Sequence, residues 1–134
     1  MQYRSPREFK NHRATGAERL AQLADFLDTV EEGRLTFSWW YGNGKGCAVA
    51  LAAAENPWFK GQGLGLANED APGDCHPVYD GATEWRALAR FFDLDIAALR
   101  RLFDRTGYDG DVRPHPSEVS GKIRAFLAAR AEVA

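Results

Sequence analysis

The chain has 134 residues, 45% hydrophobic and 27% charged, with a formal net charge of -2, which suits one compact domain with its own core and excludes a disordered or fibrous chain. So slight an acidic balance supplies no field that gathers phosphates, which argues against nucleic acid as a partner. No apolar run is long enough to cross a bilayer and Met1 leads into polar residues, so the expectation is a cytoplasmic protein off the membrane, with Cys47 and Cys75 as reduced thiols.

Residues 1–14 read as a flexible N-terminal tail. Arg4, Arg7, Lys10 and Arg13 face only Glu8 there, a pattern of a solvated segment more than of a nucleic-acid arm. The globular domain is expected over residues 15–131. It opens with a capping box, Thr15 and Glu18, followed by Leu20, Leu23, Ala24, Leu27 and Val30 at helical spacing until Gly33. The other face of that helix carries Glu18, Arg19, Gln22, Asp25 and Asp28 and is expected in water. From Leu35 to Tyr41 the period drops to two, which predicts a short strand with Leu35, Phe37, Trp39 and Tyr41 on one face.

Gly42, Gly44 and Gly46 then turn the chain into Cys47. Between Cys47 and Glu55 five of nine residues are alanine, which favours a short buried helix over a strand, and Asn56-Pro57 stops it. Residues 56–81 hold five glycines and three prolines and read as a long irregular connection, with Leu64 and Leu66 the hint of a strand. Helices resume with the stripe Trp85, Leu88, Ala89 and Phe92. Asp95 caps the next, which presents Ile96, Leu99, Leu102 and Phe103, and Pro116 starts the last, with Val119, Ile123, Phe126 and Leu127 inward. The fold class expected is mainly α, one compact domain of about four or five helices with a short β-strand or hairpin near residues 35–41 and 63–67.

The glycine turn does not match a phosphate loop. A dinucleotide fingerprint would need glycine where Cys47 stands, and Lys45 is not followed by Ser or Thr. Cys47 is a different matter, because a thiol at the first turn of a helix feels the positive end of the dipole and can act as a nucleophile. With His76 as base, or His115, and the amides of Gly46 and Cys47 receiving an oxyanion, it would make a thiol hydrolase or transferase. The competing reading is a small core hydrophobe among alanines. Asp74, Cys75 and His76 could begin a metal site, but consecutive residues seldom all reach one ion and no Cys or His pair has zinc-finger spacing, so neither metal nor cofactor is expected. Arg86 with Arg90, and Arg100, Arg101 and Arg105, read as solvated helix faces.

The aromatic residues are the stronger lead. Trp39, Trp40 and Tyr41, with Trp58, Phe59 and Tyr79 in the long connection, supply large anchors beside flexible glycines, the chemistry of a protein-binding surface. Phe37 and Trp39 are expected inward, Trp40 and Trp58 outward.

Between Leu20 and Leu127 the chain resembles a family of small uncharacterised proteins from actinobacteria, proteobacteria and their phages. The resemblance lies in the order of its motifs. The opening helix ends near Thr29 to Glu32, then come the Phe37 to Trp40 element, the glycine-cysteine turn, Pro57-Trp58-Phe59 and Gly63-Leu64. Tyr79, the Trp85 to Phe92 helix, Leu102-Phe103, Gly107-Tyr108 and the Pro116, Val119, Ile123 series follow. Family members commonly carry two cysteines around the turn, whereas this chain keeps Cys47, with glycines or Lys45 where the other would fall, which argues against a shared cysteine-pair metal site. The resemblance implies a mobile-element origin and a protein that binds and blocks, or adapts, a partner. The expected function is therefore a small non-enzymatic binding protein acting through Trp40, Tyr41, Trp58, Phe59 and Tyr79, with the Cys47–His76 thiol enzyme as the alternative.

Overall fold

The computed structural model describes residues 13–69 and 75–133. All of the predicted tail except Arg13 and Ala14 lies outside these residues, as does Asp74. Among the described residues the molecule is mostly α, with two small antiparallel sheets.

Helix α1 (Gly16–Leu27) starts at the predicted capping box: the Glu18 amide donates to Thr15 Oγ1 at 3.1 Å, and the Thr15 amide donates to Glu18 Oε1 at 2.9 Å. Its stripe of Leu20, Leu23, Ala24 and Leu27 is buried. Helix α2 (Ala48–Glu55) is apolar on every side from Ala48 to Ala53, and such a helix is stable only when surrounded. It forms the centre of the core, with α1, the short helix α3 (Pro57–Gly61) and the sheets around it. Helices α4 (Glu84–Phe92) and α5 (Ile96–Phe103) bury Leu88, Phe92, Leu99, Leu102 and Phe103 of the expected stripes and half-bury Trp85 and Ala89, but Ile96, expected inward, is 38% exposed at the start of α5. Asp95 accepts the Ala98 amide at 2.7 Å as the cap of α5. A 3-10 turn (Arg105–Tyr108) leads to α6 (Pro116–Val133), which lies along α1. Arg124 of α6 bonds Asp25 at 2.9 Å and Asp28 at 2.7 Å, and holds the Asp28 carboxyl below its ordinary range, with help from Ser120.

Three expectations are corrected. No continuous strand runs from Leu35 to Tyr41. Leu35 makes one isolated bridge to Gly46, residues 37–40 are bends, and pairing begins only at β1 (Tyr41–Gly42) against β2 (Lys45–Gly46). One cause is local and one tertiary: Thr36 Oγ1 accepts the Ser38 amide at 3.2 Å, and the Phe37 amide donates to Val112 O, far along the chain, at 2.7 Å, so these donors leave the ladder. The hairpin lies inside the glycine turn instead, closed by Asn43 and Gly44 with φ of 54° and 73°, the positive pair that a tight two-residue hairpin requires.

The connection over residues 56–81 is less irregular than predicted. It contains α3, started by Asn56 accepting the Trp58 amide, and strands β3 (Gly65–Ala67) and β4 (His76–Tyr79), which with β5 (Ala82–Thr83) just beyond it form a three-stranded sheet in the order β3-β4-β5. Strand β3 is the one hinted at by Leu64 and Leu66, and Asp80-Gly81 closes the β4–β5 hairpin.

The third correction is Arg19. Expected in water, it is 4% exposed, reaching inward from α1 to tie α3, β4 and α4 together. Beside it Phe91 forms the middle of an aromatic column, with ring centroids 6.1 Å from Phe59, 5.1 Å from Tyr79 and 5.0 Å from Phe92.

Candidate functional site

The aromatic residues singled out from the sequence divide into two groups. Phe59, 0% exposed, and Tyr79, 8% exposed, belong to the core column, and Trp58 packs edge-on against Phe59 at 5.0 Å. A surface made of Trp40, Trp58 and Tyr79 together is therefore not present. Tyr41 is half-buried in the β1–β2 hairpin, bridged to Cys75, and burial raises its phenol above the ordinary value.

Trp39 and Trp40 remain together, and the structure adds partners that sequence reasoning had assigned to helix packing. The bends at residues 37–40 carry Phe37, Trp39 and Trp40 to one side of a cleft of about 300 Å³, and Trp85 of α4 with Phe103 and Asp104 at the end of α5 form the other. The assignment of inward and outward rings is reversed from the expectation. Trp39 is 37% exposed, whereas Trp40 is half-buried with its ring 5.3 Å from Trp85 in an edge contact. Trp39 is exposed but not loose, because its indole N–H donates to Lys45 O at 3.1 Å and fixes the ring against β2. Behind the cleft Phe37 leans on Tyr108 at 5.3 Å, and the Tyr108 hydroxyl donates to Leu102 O at 2.6 Å. Arg100 places its guanidinium 5.3 Å from the centre of the Trp85 ring.

The result is a preorganised aromatic hollow with one carboxylate, Asp104, among its lining groups. Such hollows receive large apolar or aromatic side chains, since the rings lose little conformational freedom when covered. No protein family, curated protein or solved structure matches this chain. The reading of the site rests on its own geometry.

Cys47 lines the inner end of the cleft yet is 4% exposed. It sits at the N-terminus of α2 as expected, but burial pushes its thiol up to about 11, outweighing the pull of the Ala50 and Val49 amides. The dipole effect invoked from sequence is thus overridden by desolvation. The proposed oxyanion amides are also occupied: Gly46 N–H donates to Arg34 O at 3.1 Å and Cys47 N–H to Trp40 O at 2.9 Å. His76 lies on β4, in register with Ala67. His115 serves as the cap of α6, its Nδ1 accepting the Ser117 amide at 3.1 Å. Among the described residues no group of three His, Cys, Asp or Glu side chains could hold a metal ion.

Iodoacetamide at neutral pH is expected to leave Cys47 unmodified in the native protein and to label it once urea unfolds the chain, with mass spectrometry assigning the site. A thiol whose folded value lies above its unfolded one favours the fold while protonated, so its contribution is complete below pH 9 and lost as pH rises from 9 toward 11. Urea titrations across that window should show a steeper stability loss for wild type than for Cys47→Ala.

Proposed function

We propose that this protein is a non-enzymatic binding module that engages another protein through the cleft of Trp39, Trp40 and Trp85, inhibiting or adapting that partner. The observation that carries the reading is Trp39, a large exposed ring held rigid at the mouth of an aromatic hollow by its bond to Lys45 O. An indole in that situation is the usual centre of an interface hot spot. The hollow, about 300 Å³, is at the small end of ligand sites and fits one anchoring side chain of a partner better than a larger organic molecule. No helix among the described residues is long and apolar enough to cross a membrane.

The test does not require the partner to be identified. Selection of a random-peptide library against the protein should enrich a peptide family with an apolar or aromatic anchor. Trp39→Ala is expected to weaken those peptides by about ten-fold or more, as hot-spot truncations do, while shifting the melting temperature by no more than about 2 °C. Trp58→Ala serves as the contrast: it removes a half-buried ring from the core column and should lower stability without changing peptide affinity. Enriched peptides that bind Trp39→Ala as well as wild type would refute the cleft as the binding site.

A further inference from the structure

We infer that two copies of this chain join edge to edge through β3, the Leu66 main chain of each bonding its counterpart across a two-fold axis to merge the two sheets into one. The surface shares no residue with the aromatic cleft. The register of β3 on β4 is decisive. Leu66 stands opposite Pro77, with Gly65 opposite Val78 and Ala67 opposite His76. In an antiparallel ladder, opposed residues alternate between exchanging both main-chain bonds and exchanging none, and Pro77 has no N–H to give. Leu66 and Pro77 are therefore a non-bonded pair, and the Leu66 N–H and C=O point away from β4. On that side β3 is the edge of the sheet, and among the described residues no group bonds the Leu66 main chain there.

The edge is also undefended. Natural edge strands are blunted by lysine, proline, charge or a bulge, yet residues 63–68, Gly-Leu-Gly-Leu-Ala-Asn, carry neither charge nor proline. Gly65 and Ala67 offer little bulk against an approaching backbone. Beside the edge lies a cavity of about 570 Å³ whose apolar lining is Ala53, Ala54, Leu64 and Leu66, surface that an added strand would draw out of water. The other edge of the sheet, β5, is two residues long and passes straight into α4.

Charge selects a second copy as the occupant. Lys60 stands just before β3, its carbonyl accepting the Gly63 amide at 3.0 Å, and Glu69 stands just after it. Both side chains are exposed and line the cavity, and neither is in an ion pair among the described residues. An antiparallel pairing centred on Leu66 sets Ala67 of one copy opposite Gly65 of the other, and Glu69 opposite Gly63. Glu69 of each copy thereby meets the Lys60 end of the other, twice by symmetry. A single register bonds each Leu66 N–H to the opposite Leu66 C=O and matches both charges. The assembly closes at two copies, because each remaining edge is a β5 that turns into its own α4.

Sedimentation equilibrium from about 10 µM to about 1 mM should show a monomer–dimer equilibrium. Hydrogen exchange followed by NMR should slow at the Leu66 amide by about three-fold or more across the same range, with the amides of α2 unchanged. Lys60→Glu and Glu69→Lys are each expected to weaken dimerisation by about ten-fold or more, since every dimer then holds two like-charge pairs. The double variant Lys60→Glu/Glu69→Lys restores opposite charges and should return to within about three-fold of wild type. All three change exposed side chains and should melt within about 2 °C of wild type. A protein still monomeric at the highest concentration overturns the inference, as does a dimer in which Leu66 exchanges as fast as in the monomer, or a double variant as weak as the single ones. Protection of Leu66 at every concentration would mean that the chain covers its own edge, and protection of the monomer by a library-selected peptide would assign the edge to another protein. Either result overturns the dimer as well.

Discussion

Arg19→Ala is expected to lower the unfolding free energy by about 3–4 kcal/mol, the range reached when a buried polar network loses its donor. The arginine is 4% exposed, and its partners are neutral: Nη1 donates to Phe91 O at 2.8 Å and to the Tyr79 hydroxyl at 3.3 Å, while Nε and Nη2 donate to Gln62 Oε1 at 3.3 and 3.2 Å. The guanidinium also lies over Phe91, 4.3 Å from the ring centre, and over Tyr79 at 5.3 Å. Burying a cation is costly, so the position is stable only because a planar five-donor group satisfies acceptors from three elements at once and stacks on two rings.

Truncation strands the Phe91 carbonyl and removes the packing of the stem as well as the charge. Arg19→Lys separates the effects, since it keeps the charge but cannot reach the three acceptors in one plane. Its expected cost is about 1.5–2 kcal/mol. Urea denaturation followed by circular dichroism measures both. An Arg19→Ala protein within about 1 kcal/mol of wild type would show that the guanidinium is not the tie between α1, α3, β4 and α4.

The second large effect is at Gly46. A Cβ added there would lie 2.2 Å from Trp40 O and 2.8 Å from Tyr41 Cα, both backbone atoms that no rotamer change can clear. Gly46→Ala must therefore displace β1 or the start of α2, and it also breaks the bond from Cys47 N–H to Trp40 O. A loss of about 4 kcal/mol is expected, with the far-UV circular-dichroism exciton signal of the Trp40–Trp85 ring pair weakened in whatever fraction remains folded. Gly44, two residues earlier, has open space around its position and φ of 73°, so Gly44→Ala carries only the conformational penalty, about 1 kcal/mol. The same denaturation series ranks them. Near-equal losses would mean that the close approach of Gly46 to Trp40 does not hold in solution.

These two positions also mark where sequence reading was sufficient and where it was not. Gly42, Gly44 and Gly46 look equivalent in the sequence, and their spacing first invites a comparison with phosphate loops. The informative pair was Asn43-Gly44, the usual signal of a two-residue hairpin, as Asp80-Gly81 is between Tyr79 and Ala82. Both signals are local and could have been read, which would have moved the predicted strand from residues 35–41 to its actual place. The solvent-face assignment of Arg19 failed for a different reason. Helical periodicity sorts residues by angle around one axis, but Arg19 lies at the border of the buried stripe and its stem is long enough to turn inward, where Phe91 and Tyr79 wait on elements far along the chain.

Five of the six α-helices among the described residues were legible without any coordinates, although α1 ends at Leu27 and not near Gly33, and the short α3 was read as irregular connection. Thr15 with Glu18, Asp95 and Pro116 mark true starts, the stripes of α1, α4, α5 and α6 pack as spaced except for the exposed Ile96, and the alanine-rich segment is the buried central helix. Those features depend on contacts within a few residues, which composition and period encode directly. The assembled fold settled the rest: which tryptophan faces solvent, which aromatic residues share a cleft, and that Cys47 is a buried thiol with a raised pKa. Trp39 is presented because Lys45 O receives its N–H, Trp40 is covered because Trp85 lies across it, and Cys47 is desolvated by the surrounding core. Exposure and pKa belong to the assembled neighbourhood, and residues far apart in the chain set them by excluding water.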